Sequence, residues 1–229
     1  MRAIVTTAIV LYRTDFKEAD RIVTMLTRGQ GKIRVIAKGV RRPLSKLAGG
    51  IELFSICQIT FLPGRGEIKT LISSRLQKHY GNIVKDIQRT MLGYDFIKRI
   101  NKITEDAVED DYFDLLEGAF GGLDNLNINS DVLEFWFDFQ LLRLGGHSPN
   151  LSVDLGGNQL KADQKYSFDY DNMLFVPNTE GQFNVNHIKL MRLAFRTKNP
   201  AILAKISGIK KLVLPVSVLA KNSINLSYG

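Results

Sequence analysis

The sequence contains a single cysteine, Cys57, set within an apolar run. One cysteine can form neither a disulfide within the chain nor a cysteine-based zinc site, so a disulfide scaffold is excluded and a reducing compartment fits. Long apolar runs are also missing, since none approaches the ~20 residues that a membrane-spanning helix requires. The opening stretch, MRAIVTTAIVLYRTDF, reaches Arg13 too soon for a secretory signal and has no small-residue cleavage site, which reads as a mature cytoplasmic start. Histidine is scarce: His79, His147 and His187 lie far apart with no metal-ligand spacing around them. No nucleophile stands beside a base. No internal repeat or low-complexity segment occurs.

What the chain does have is a normal core and an uneven charge. Its 229 residues are 45% hydrophobic, enough for one large globular domain or two small ones. The net charge of +8 is not spread along it. Residues 1–80 carry 15 Lys and Arg against 5 acids, residues 81–150 carry 6 against 13, and residues 151–229 carry 10 against 5. A local basic excess sustains a positive potential that concentrates polyanions. Nucleic acid is the first partner this suggests, and an acidic membrane surface the second.

Up to about Tyr80 the pattern is short and strand-like. AIVTTAIVLY, DRIVTMLT, GKIRVIAK, IELFSICQITFL and EIKTLISSRL are rich in β-branched residues and are separated by turn material such as RGQG and PGRG. In the third segment Ile33, Val35 and Ala37 alternate with Lys32, Arg34, Ile36 and Lys38, as expected where one face meets a core and the other meets water. Five short antiparallel strands suit a small closed barrel, and the OB-fold is the commonest such barrel that binds nucleic-acid strands.

From Asn82 the period lengthens. Ile83, Ile87, Met91 and Tyr94 fall at helical spacing, as do Tyr112, Leu115, Leu116, Ala119 and Leu123. The first of these helices leads into TEDAVEDD and the second ends at Gly121 and Gly122. A third, VLEFWFDFQLLRL, opens behind the capping residues Asn129, Ser130 and Asp131 and stops at Gly145, Gly146 and Pro149. It is apolar around most of its circumference, which makes it the buried spine of a second domain. Residues 150–184 form a polar, irregular insert with a hairpin through KYSFDYDNMLFV. HIKLMRLAFRTKNP is helical again, and a short helix follows from Pro200 with Asn199 as its cap. LVLPVSVLAKNSINL is ambiguous. The class is therefore α+β: a five-stranded OB-fold barrel in residues 1–80, then a mainly helical domain in residues 81–229.

The candidate site is KGVRRPLSKLAGG, residues 38–50. Lys38, Arg41, Arg42 and Lys46 share one connection that contains no acid, and they follow a strand carrying Lys32 and Arg34. Gly39, Gly49 and Gly50 would let such a loop adapt to a ligand. Contacts of this kind go to phosphate, so the binding they imply is salt-sensitive and indifferent to base identity. Arg65 and Lys69, in PGRGEIKT, extend the basic surface; that segment lacks the glycine spacing of a phosphate loop and reads as a hairpin turn. Phe16, Phe54 and Phe61 are the aromatics available for base stacking, the last two better placed in a core.

Glu109, Asp110, Asp111 and Asp114 offer a magnesium-dependent nuclease in principle, but carboxylates around a helix start also complement its dipole, and that reading is preferred. Lys189, Arg192 and Arg196 line one helix face, either as an ordinary basic surface or as a dock for an acidic partner or for more DNA. An RNA-binding OB-type factor would account for the basic barrel equally well.

The stretch from Leu11 to Phe54, with GRGEIKTLISS, resembles the N-terminal domain of the bacterial RecO family of recombination mediators. The resemblance is carried by Glu18 and Asp20 ahead of an apolar strand, Thr27 then Gly31, the run AKGVRR, and Ser45 shortly before Gly49. LLRLGGHSPNL resembles the family's helix end. Membership implies an OB-fold followed by a helical domain, no catalysis of bond cleavage, no cofactor, and a cytoplasmic, nucleoid-associated protein with no membrane role. It implies binding of single- and double-stranded DNA and annealing of complementary strands. It further implies work with RecR to load RecA onto DNA coated by single-stranded-DNA-binding protein, whose acidic C-terminal tail would dock on the helical domain. On that analogy Lys38, Arg41, Arg42 and Lys46 meet DNA, and Lys189, Arg192 and Arg196 are the choice for the tail. Many members carry four cysteines and a zinc ion where this chain has residues 150–176, which contain none; packing by Tyr166, Phe168, Tyr170 and Phe175 is expected to hold the insert instead.

Overall fold

The computed structural model describes residues 2–64, 66–104 and 110–228. Arg65 and Glu109, both named above, lie outside them. The chain forms two compact units, Met1–Asp124 and Asn125–Gly229.

In the first unit β1 (Ile4–Phe16), β2 (Asp20–Thr27), β3 (Gly31–Ala37), β4 (Ser55–Leu62) and β5 (Ile68–His79) close into a barrel in the order β1-β2-β3-β5-β4. Every pairing is antiparallel except β3 with β5, which is parallel and rests on three residue pairs. This is the five-stranded OB-like barrel that the alternating pattern predicts. On β3, Ile33, Val35 and Ala37 point inward and meet Val10, Val23, Met25, Cys57, Ile59, Phe61 and Leu71 in the barrel core. Each large side chain buried there contributes about 1.5–3 kcal/mol. β4 starts at Ser55 rather than at Ile51, because Ile51 turns into the core at the end of a short 3₁₀ segment, Ala48–Gly50.

Two helices, α1 (Ile87–Ile103) and α2 (Asp110–Asp124), belong to the barrel's unit. The sequence reading places a boundary at residue 80, where the barrel strands end; the compact unit runs on to Asp124. The α1 face is also different from the expected one. Ile87 is 77% exposed, and Met91 and Tyr94 are exposed with it. The buried row is Gly93, Phe96, Ile97 and Ile100. The reason is Gly93: a Cβ there would stand 2.7 Å from the Phe54 ring, so the glycine lets the helix backbone approach that ring. Phe54 in turn packs edge-on against Phe120 of α2 at 5.5 Å. Gly121 and Gly122 do not end α2, which continues to Asp124, whose carboxylate accepts from the Asn82 amide at 2.8 Å.

In the second unit α3 (Ser130–Leu144) is the spine, buried from Phe135 to Leu142 and capped by the Asn129 side chain. Around it pack α4 (Val185–Arg196), the short α5 (Ala201–Ala204) and α6 (Ile209–Tyr228). The Trp136 indole donates to the Thr197 carbonyl at 2.9 Å and fixes the end of α4. The tail whose class the sequence leaves open is the helix α6, with Pro215 inside it. The insert holds the expected hairpin, β6 (Tyr166–Asp169) against β7 (Leu174–Pro177), with Phe168 opposite Phe175. Tyr166 and Phe175 are fully buried, and Phe183 completes their edge-on cluster.

Candidate nucleic-acid interface

The loop between β3 and β4 is tied down at both ends. The Gly39 amide donates to Asp20 at 2.7 Å and the Arg41 amide donates to the Ala19 carbonyl at 2.9 Å, so the loop starts beside the β1–β2 turn. Val40 and Ile51 are buried, and Leu47 and Ala48 pack partly on the barrel core. Gly50 does not loosen the loop, as the sequence suggests, but pins it. A Cβ at Gly50 would meet the Ser74 backbone at 2.7 Å, and the Ser74 hydroxyl donates to the Gly50 carbonyl. What projects is the basic part: Lys38, Arg41, Arg42 and Lys46 are all exposed.

Space supplies the acid that the loop's sequence omits. Arg41 Nη1 lies 3.5 Å from Asp15 of β1, which also takes a 2.7 Å hydrogen bond from Arg21. That hydrogen bond, with the charges of Arg41, Arg21 and Arg13 nearby, holds the Asp15 carboxyl below its usual range. Lys38, Arg42 and Lys46 make no ion pair among the described residues.

The other predicted cations form a second group. Lys32, Arg34 and Lys69 line an open groove of about 440 Å³ together with Thr24, Glu67 and Asn101. Lys32 is partly engaged within the chain: its ammonium donates to the Asn101 carbonyl at 2.9 Å, where a cation complements the last turn of α1. Arg34 faces outward, 3.8 Å from the exposed Glu67. Lys69 pairs with the inward-facing Val35, and its ammonium sits 6.0 Å from the Phe61 ring.

Among the aromatics, Phe54 and Phe61 are core residues and Phe16 is exposed. The sequence reading overlooks Tyr12, which is 62% exposed. Tyr12 pairs with Thr24, and Thr24 with Arg34, so an aromatic ring and a guanidinium stand in one outward row, two strand spacings or about 10 Å apart. The signal was hidden by an irregularity between Val10 and Tyr12, which shifts the inside–outside alternation of β1. An outward row of this composition has the chemistry to stack a base on its ring and hold a phosphate on its guanidinium.

Asp110 and Asp114 of the acid cluster have other work. Asp110 accepts from the Gly29 amide at 2.7 Å, and Asp114 and Glu117 hold Arg28 at 2.6 and 3.2 Å over the Phe113 ring. These contacts seat the β2–β3 turn on α2. In the second unit Lys189 and Arg196 are exposed, but the Arg192 guanidinium donates to the Leu151 carbonyl at 3.0 Å and anchors the start of the insert. Residues 150–176 contain no cysteine, and Phe168 packs edge-on against Phe175 within the insert at 5.0 Å.

The family model described as "Recombination protein O N terminal" matches residues 1–80, the barrel itself. Curated proteins named "DNA repair protein RecO" match further along the chain. That of Desulfatibacillum aliphaticivorans is 32% identical over 154 residues, covering 66% of this chain and 60% of the relative. That of Rhodopirellula baltica is 34% identical over 144 residues, covering 62% and 53%. That of Dehalococcoides mccartyi is 27% identical over 194 residues, covering 82% and 76%.

The chain belongs to the RecO family.

In these first two matches the chain spans somewhat over half the length of the RecO proteins it resembles. Residues that carry the RecO resemblance have local physical roles here. Asp20 caps the loop amide of Gly39, and the Thr27 hydroxyl donates to the Gly31 carbonyl at 2.7 Å to close the β2–β3 turn. Among the described residues no helix is long and apolar enough to cross a membrane.

Proposed function

We propose that this RecO-family chain is a DNA repair and recombination protein that holds single- and double-stranded DNA through phosphates, without reading bases. The observation that carries this reading is the pinned loop presenting Lys38, Arg41, Arg42 and Lys46 on a closed barrel whose outward face adds Tyr12 and Arg34. Cations in a preset arrangement release counterions on binding whatever the sequence of the strand. Two complementary strands held in this way keep their base edges free, so pairing between them is promoted and no bond is cut.

Partner binding belongs, in this reading, to the second unit. Lys189 and Arg196 give α4 an exposed cationic face suited to the acidic tail of single-stranded-DNA-binding protein, with Arg192 holding the insert beside it. A molecule with both surfaces, working with RecR, brings RecA to DNA that the single-strand binder already covers. The test is annealing of two complementary labelled strands, followed by energy transfer between their dyes, with a structured RNA of unrelated sequence as competitor. Faster annealing that an equal mass of structured RNA does not suppress is expected. No acceleration, or complete suppression by the RNA, would overturn the reading.

A further inference from the structure

Leu44 is 96% exposed, more than any other large apolar side chain among the described residues. Its neighbours show that the loop had other options: Val40, Leu47, Ala48 and Ile51 all turn toward the barrel core, and Leu44 alone among these apolar residues does not. The position is fixed rather than frayed. The Ser45 amide donates to the Arg42 carbonyl at 3.0 Å, closing a turn with Pro43 and Leu44 as its two central residues. Proline presets its own backbone angle, and the central position that Leu44 holds usually takes a small polar residue or glycine. Nothing in the folding of the loop calls for leucine there.

The surroundings say what it meets. Arg41, Arg42 and Lys46 are within three positions of Leu44, all exposed. A partner that fits has negative charge at its periphery and flat apolar surface between the charges. Unpaired nucleic acid has that chemistry, with phosphates along the strand and base faces free to turn outward. In a duplex the same faces are stacked, and an apolar wedge must first part them. Resting on the DNA-binding reading above, we propose that Leu44 is an apolar probe that packs on the bases of single-stranded DNA while the flanking cations hold its phosphates. The contact adds a salt-independent preference for unpaired strands, which phosphate contacts alone do not supply.

The test uses Leu44→Trp and Leu44→Ala in the full chain with a labelled single-stranded oligothymidylate and a blunt duplex. Anisotropy reports binding, and indole emission reports base contact. The natural Trp136 is buried, with its indole nitrogen bonded to the Thr197 carbonyl, so it contributes a constant background. Quenching of the new indole at saturation with the single strand is expected, as is an affinity about fivefold lower for Leu44→Ala, or ~1 kcal/mol, at an unchanged salt slope. The duplex should show neither effect. Binding without quenching, with Leu44→Ala at full affinity, would overturn the proposal and leave Leu44 to a protein contact. Equal effects on the duplex would overturn the preference for unpaired bases. Failure of the unaltered protein to bind DNA at low salt would overturn the phosphate-holding reading itself, and the probe with it.

Discussion

Replacing Arg41 and Arg42 together with alanine removes half of the loop's exposed cations. Of the four, three make no ion pair among the described residues, and Arg41, 3.5 Å from Asp15, is exposed and can exchange that partner for a phosphate. If each neutralises one phosphate of a single strand, the logarithm of affinity falls with that of salt at a slope of about −2.8, from roughly −0.7 per contact. Raising salt from about 50 to about 200 mM should then weaken the native loop's binding about 50-fold, and that of the double variant, with a slope near −1.4, about 7-fold. Fluorescence anisotropy of a labelled oligonucleotide at several salt concentrations measures both slopes. The anchors of the loop, Val40, Leu47, Ala48, Gly50 and Ile51, are untouched, so the thermal midpoint should not move. A double variant that keeps the native slope would refute the assignment of the loop to phosphate.

Three further outcomes follow from the same contacts. Asp15→Asn removes the carboxylate beside Arg41 and Arg21, so DNA should bind about two- to threefold more tightly at low salt with the gain lost at high salt; unchanged or weaker binding in the same titration would count against it. Cys57 is buried in the barrel core and burial pushes its thiol up to about 11, so a thiol reagent at about pH 8 should label it only as fast as the barrel opens. Rapid labelling of the native protein would contradict that packing. His187 caps α4, its Nδ1 accepting from the Asn184 amide at 3.1 Å, and burial lowers its pKa below the ordinary value. A lowered value means that the neutral form's stabilisation is complete above about pH 6.5 and is lost as pH falls through the folded-state value. Trp136 fluorescence melts should therefore show the second unit weakening below about pH 6.5. In His187→Gln, whose amide oxygen still accepts, the decline should be flatter, while His187→Ala should cost about 1 kcal/mol at about pH 7.5.

The barrel was legible because its signal is local. A period of two on β3 separates Ile33, Val35 and Ala37 from Lys32 and Arg34, and turn residues mark where each strand ends. The spine helix was legible for the same reason, since apolar residues all round a helix leave burial on several sides as the outcome. What was not legible depends on contacts between distant residues. Two apolar rows on α1 satisfy a helical period, and Gly93 against Phe54 decides which is buried. Asp15 neutralises part of Arg41 across 26 positions of sequence. Tyr12 reaches solvent through an irregularity in pairing that composition does not reveal. Arg192 looks like a free surface cation until Leu151 is brought beside it. Glycine in the basic loop suggested freedom, whereas Gly50 is there because Ser74 leaves no room for a Cβ.

The central claim is that the barrel holds DNA through phosphates and without regard to base. Its most direct test is the salt dependence of binding to two labelled single strands of equal length and unrelated sequence. Equal affinities that fall in parallel as salt rises are predicted. Binding that is insensitive to salt, that differs strongly between the two strands, or that is absent at low salt would contradict it.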